Sequence, residues 1–122
     1  MKTPAKIILS FSEREKKLFS PHSIFTPIPN VEFRWVDNTQ MSAKEWQEAL
    51  VQFQPNALVS CWSTARIPDE FLQSSPLLPQ YLCHVSGSVR HIISRSFMER
   101  GGLVTTWGNM AAPMVAEHAL LL

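Results

Sequence analysis

Along the chain, short apolar runs alternate with stretches whose apolar residues recur at helical spacing, and together the two periods predict the fold. Residues 6–11, Lys6-Ile7-Ile8-Leu9-Ser10-Phe11, form the first apolar run, and Ser12-Glu13-Arg14-Glu15 reads as the capped, acidic first turn of a helix. Pro21, Pro27 and Pro29 break any regular element and mark residues 20–30 as a loop. Residues 31–37 alternate apolar and charged positions, the period of a strand with one wetter face, which suits a sheet edge. Ser42-Ala43-Lys44-Glu45 has the form of a capping box, and Trp46, Ala49, Leu50 and Phe53 follow at helical spacing until Pro55 stops the helix.

The second half continues the alternation. Residues 56–61 are short and apolar without a period, as in a strand buried on both faces of a parallel sheet, and a polar loop from Trp62 to Arg66 follows its carboxyl end. Pro68 opens a short helix whose Asp69 and Glu70 lie near its positive pole. Residues 81–85 form another buried strand, broken at once by Ser86-Gly87-Ser88. Residues 92–100 predict a helix that ends on Gly101-Gly102, residues 103–106 a fifth strand, and residues 113–122 a last helix opened by Pro113. Five strands alternating with helices predict an α/β fold: a flavodoxin-like parallel sheet of order 2-1-3-4-5 with helices on both faces. Ligands in such sheets gather at the carboxyl ends of the strands, near the reversal of strand order. The loops after Ser60 and Val85 are therefore the first places to look.

Composition narrows the function. The 122 residues, 45% hydrophobic and 17% charged, suffice for one ordinary core. A net charge of +1 from 11 basic and 10 acidic residues, with no block of either sign, gives nucleic acid or an anionic membrane no electrostatic footing. The first apolar run is too short for a signal peptide or a spanning helix, and Cys61 and Cys83 fit buried reduced thiols, so a cytoplasmic protein is expected. The four glycines, Gly87, Gly101, Gly102 and Gly108, include no two separated by a single residue, and the chain lacks the several glycines that both the dinucleotide fingerprint and the phosphate-binding P-loop need where backbone passes close to phosphate.

Several constellations fail on spacing. Cys61, Cys83, His84 and His91 lack the paired ligand spacings of a zinc site, so no metal is expected. Ser63, Glu117 and His118 do not make a hydrolase: there is no nucleophile elbow, and adjacent residues on one helix face different directions. Trp35 and Trp46 sit on periodic faces and read as core, whereas Trp62 and Trp107 each follow a strand and can wall an apolar pocket. The last residues, Ala119-Leu120-Leu121-Leu122, carry neither cap nor charge. Two readings stay open: the helix tucks into its own core, or it continues into a second domain outside this chain.

The segment Gly101-Gly102-Leu103-Val104-Thr105-Thr106-Trp107-Gly108-Asn109, with Val115-Ala116-Glu117-His118-Ala119-Leu120-Leu121, resembles the D-isomer-specific 2-hydroxyacid dehydrogenases. In that family a strand leads into a V-A-E-H-A-L helix that crosses from the substrate domain to the nucleotide domain. Upstream, Pro68-Asp69-Glu70-Phe71-Leu72 and Tyr81-Leu82-Cys83-His84-Val85-Ser86-Gly87-Ser88-Val89 resemble the family's strand and glycine loop. The similarity runs from about residue 67 to Leu122; before that only the β-α order agrees.

The resemblance implies that residues 1–108 are a substrate domain and 109–122 the start of an interdomain helix. The activity implied is oxidation of the CH–OH group of a small D-2-hydroxy acid, or reduction of the 2-oxo acid, with NAD or NADP. The family's Rossmann domain and its catalytic Arg, Glu and His would lie beyond Leu122, so no catalytic or cofactor-binding residue is expected here and the piece alone is expected to be inactive. His118 matches the helix motif, not the catalytic histidine. By resemblance, the backbone amides of Ser86, Gly87, Ser88 and Val89 hold the substrate carboxylate, and Trp62 and Ser63 lie beside the substrate. A small-residue turn suits the first role, because successive N–H groups can aim at an anion. Arg90 and His91 can add positive charge there, or simply head a solvated helix. Arg90 and Ile93 replace acidic residues, Trp62 stands near a position often basic, and Trp107-Gly108 replaces Thr-Pro, which sets the chain apart from phosphoglycerate enzymes. The implied partners are a small carboxylic acid, the nucleotide-binding domain and a second copy, since members commonly dimerise, although largely through the domain absent here. The competing expectation is a free-standing flavodoxin-like binding or regulatory module that dimerises through its last helix.

Overall fold

The computed structural model describes residues 3–19, 28–73 and 79–122. Ten elements alternate: β1 (Ala5–Ser10), α1 (Glu13–Phe19), β2 (Val31–Trp35), α2 (Ala43–Phe53), β3 (Ala57–Ser60), α3 (Asp69–Leu72), β4 (Tyr81–His84), α4 (Arg95–Glu99), β5 (Leu103–Thr105) and α5 (Ala112–Leu121). The strands form one sheet of order β2-β1-β3-β4-β5, and every pairing is parallel. This is the expected flavodoxin-like α/β fold, with β2 at an edge, the position that suits its alternating pattern. Most of the predicted 20–30 loop lies outside the described residues.

Register explains where the core sits. Ile8, Leu58, Leu82 and Val104 stand opposite one another across four strands. The first three are fully buried, and against this row pack Trp46, Leu50 and Phe53 of α2, Phe71 and Leu72 of α3, and Phe97 of α4. Right-handed crossovers carry α1 to the opposite face, because the β1 to β2 step runs against the direction of all the others. That face is thinner: Ile7, Val59 and Cys83 are only half-buried and Leu103 is exposed. The expectation of strands sealed on both faces therefore holds for one face of β3 and β4.

One helix differs from its sequence reading, and for the last helix one of the two open readings fails. The fourth begins at Arg95 rather than residue 92, because the amides of Ile92 and Ile93 close a turn on the carbonyl of Val89 at 2.9 and 3.2 Å. Those two isoleucines reach the core from that turn. The last helix, α5, buries none of its residues, so it is not tucked into the core of this chain.

Candidate functional site

The strand ends that point the same way are aligned, with Ser10 beside Ser60 and Ser60 beside His84. The segments leaving β1, β3 and β4 therefore emerge side by side on one rim of the sheet. Glu15 organises the first of them. The Ser12 amide donates to its Oε1 at 2.8 Å and the Glu15 amide donates to Ser12 Oγ at 3.2 Å, a reciprocal cap on α1. The same carboxylate reaches across to the β3–α3 loop, accepting from the Ser63 amide at 3.0 Å and from the Ser63 hydroxyl. Burial opposes its charge, but the bonds from Ser63 and from the Ser12 amide outweigh burial and hold the carboxyl at about 2.

Cys61 sits next to this carboxylate, and burial followed by Glu15 pushes its thiol up to about 12. It is a free, buried and protonated thiol at neutral pH. Thr64 Oγ1 accepts from the Cys61 amide at 2.9 Å and donates to the Ser10 carbonyl at 2.7 Å, while Ala65 donates to Asn38 Oδ1 at 3.1 Å. The loop backbone is thus fastened at 61, 63, 64 and 65, and Trp62 is the residue left facing outward, 56% exposed.

His84 fastens the next loop. Its Nδ1 pairs with Ser60 Oγ at 2.8 Å and its Nε2 with Ser86 Oγ. Burial first, then His91, lowers its pKa against the opposing pull of Glu15 and the Ser88 backbone, so the ring is neutral at pH 7. A neutral ring between two hydroxyls holds Ser86, itself buried, at a fixed distance from the end of β3. Beyond it, the N–H groups of Ser86, Gly87, Ser88 and Val89 donate to no other described residue. Gly87 has an ordinary backbone, and a Cβ there would meet only the Gly108 carbonyl, at 3.5 Å. Successive uncommitted amides on a turn can converge on an anion such as a carboxylate.

The structure brings the sequence-predicted residues Trp62, Ser63, Ser86, Gly87, Ser88 and Val89 to one rim. Ser63 spends both its donors on Glu15, so its part is to hold Trp62's loop. Val89 is half-buried against the core and its carbonyl is used in the following turn. Arg90 and His91 are exposed, and the Arg90 carbonyl accepts from Arg66 at 3.2 Å. Trp46 is core as expected, but Trp35 is half-buried at the β2 edge, edge-on to Phe11 with Lys16 4.5 Å above its ring. Sequence reasoning missed the tie from Glu15 to Ser63, the Ser60–His84–Ser86 chain and Phe19, whose ring touches both Trp62 and Trp107. Only Glu15 left a sequence signal, the Ser-x-x-Glu spacing.

The β1–α1 turn, Phe11-Ser12-Glu13, lacks glycine, and Glu15 puts a carboxylate in the first helical turn, where a pyrophosphate needs bare amides. Among the described residues no cluster of His, Cys, Asp and Glu could hold a metal, and no helix is long and apolar enough to cross a membrane. No protein-family model, no curated protein and no solved structure matches this chain.

Proposed function

We propose that this chain is the substrate-binding part of an NAD(P)-dependent oxidoreductase acting on the CH–OH group of a small D-2-hydroxy acid, and that it is inactive without the domain that carries the cofactor. The observation that carries the reading is the run of amides at 86–89 that donate to no other described residue, on a loop held at the carboxyl rim by His84 and Ser60. The resemblance of residues 67–122 to the D-2-hydroxyacid dehydrogenases supplies the chemistry. The glycine-free β1–α1 turn agrees with a cofactor bound elsewhere, and the exposed α5 agrees with a surface awaiting a second domain. In this scheme the chain's own work is to bind and orient the carboxylate: the loop amides donate to its oxygens, and the chain positions the second carbon, which gives up a hydride when the hydroxy acid is oxidised and takes one when the 2-oxo acid is reduced.

Gly87 gives a clean test, because a Cβ at this position displaces nothing in the fold. Titration of oxalate or pyruvate into the labelled protein is expected to shift the amide resonances of residues 86–89, and Gly87→Val is expected to weaken binding at least about tenfold by blocking the approach. Unchanged affinity in the variant overturns the cradle. NADH turnover or tight NAD binding by the 122-residue chain would overturn the division of labour. The exposed apolar α5 also favours a second reading, a binding module that pairs through this helix; an absence of any acid response together with a closed dimer would support it.

A further inference from the structure

Three aromatic rings from separate parts of the chain meet above the same rim. Trp62 follows β3, Trp107 follows β5 and Phe19 ends α1. Phe19 packs edge-on against both tryptophans, with ring centroids 5.4 Å from Trp62 and 5.8 Å from Trp107. Since β4 lies between β3 and β5, a bridge from Trp62 to Trp107 crosses the end of β4, where residues 86–89 emerge. The Trp107 amide ties that side down by donating to the Ser86 carbonyl at 3.0 Å.

Core packing does not account for the rings, as Trp62 and Trp107 keep 56% and 46% of their surface exposed. The backbone beneath Trp62 is nonetheless fastened by the bonds of Cys61, Ser63 and Thr64, so the indole is presented on a rigid support. Rigid aromatic surface at a concave rim is the usual complement of an apolar ligand group. Below Trp62 lies a depression of about 280 Å³ bounded by Ser12, Arg14, Glu15, Leu18 and Ser63. Glu15 stays ionised there at neutral pH, which disfavours a second negative charge.

We propose that Phe19, Trp62 and Trp107 form the wall that selects the acid, favouring 2-oxo and 2-hydroxy acids whose third carbon bears a branched alkyl or aryl group over those bearing a phosphate or a second carboxylate. The inference rests on reading residues 86–89 as the carboxylate cradle. With the carboxylate fixed on those amides, the remainder of a small acid lies within reach of the rings bridging over β4. An apolar tail gains from burial against them, while a charged tail loses hydration and faces the Glu15 carboxylate. Arg14 is the rival feature, because it would reward a dicarboxylic acid.

Amide and indole resonances of the full chain, titrated with pyruvate, phenylpyruvate and 2-oxoglutarate, separate these outcomes. All three acids are expected to shift the 86–89 amides. Phenylpyruvate is expected also to shift the Trp62 and Trp107 indole N–H signals and to bind at least about tenfold more tightly than pyruvate. 2-Oxoglutarate is expected to bind no more tightly than pyruvate. Trp62→Ala should shrink the phenylpyruvate preference to about twofold or less, and Trp62→Phe should restore most of it. Trp62 is exposed, so both variants should keep the remaining spectrum. Shifts at the cradle without the preference, or a preference for 2-oxoglutarate, overturn the wall alone. Silence of the 86–89 amides with every acid overturns the cradle, and the wall as a selector of acids falls with it.

Discussion

Glu15 closes the N-terminus of α1 and ties down the β3–α3 loop with one carboxylate. Its folded carboxyl lies at about 2, below the ordinary 4.5, so the unfolded chain binds a proton more readily than the folded one. Stability from this group is complete above about pH 4.5 and is lost as pH falls through that value toward about 2. Urea midpoints measured from about pH 5 down to about pH 2.5 are expected to fall, and Glu15→Gln should flatten the part of the fall due to this group. At neutral pH the same variant should cost about 1–3 kcal/mol, because an amide cannot accept from all the donors that the carboxylate satisfies. An unaltered pH profile in the variant would remove Glu15 from the account. The cap was legible as Ser-x-x-Glu, since it depends on residues three apart. The bond to Ser63 spans 48 positions and exists only because β1 and β3 pair in register, which local pattern does not encode. The His84 contact with Ser60, across 24 positions, was hidden for the same reason.

At the scale of elements, periodicity located the elements that bury a regular face, as Trp46, Leu50 and Phe53 do in α2. It misplaced the start of α4, where Ile92 and Ile93 supply apolar spacing from a turn. The end of α4 was legible as a glycine pair, and the structure assigns the two glycines different duties. Gly101, at φ +93°, donates to the Met98 carbonyl at 3.0 Å, and Gly102 donates to Phe97 at 2.9 Å, the paired bonds of a Schellman ending. Gly101→Ala is expected to cost about 1 kcal/mol, from strain at a left-handed position in open space. Gly102→Ala drives its Cβ into the buried Phe97 ring, and should cost more, about 1–3 kcal/mol. Thermal or urea unfolding of the two variants reads that order directly; equal costs would mean that Phe97 moves aside freely.

For the whole molecule, the order β2-β1-β3-β4-β5 was legible because strand and helix alternate without interruption and parallel strands need crossovers. The unequal cover of the two faces was not, since β3 and β4 carry apolar residues on both sides, Leu58 and Leu82 on one and Val59 and Cys83 on the other, while only the first side meets α2, α3 and α4. Their apolar side chains say that both faces avoid water, not what covers them. The same imbalance appears at α5, where Met114, Val115, Leu120 and Leu121 are all exposed. Exposed apolar surface of this extent is rare on a monomer and favours contact with another surface. The isolated chain is therefore expected to self-associate as its concentration rises, and Leu120→Glu combined with Leu121→Glu should return it to a monomer in sedimentation velocity. Because α5 buries no residue in this chain, the thermal midpoint of the double variant should stay within about 4 °C, the shift that about 1 kcal/mol produces in a domain of this size. A larger fall would place α5 against the core, and a wild-type chain that stays monomeric would show that the exposed apolar residues are not adhesive. The form of association carries further weight. Assembly that stops at two copies fits a module built to pair through α5, whereas open-ended association fits a helix face whose natural cover is a different surface, as the proposed oxidoreductase requires.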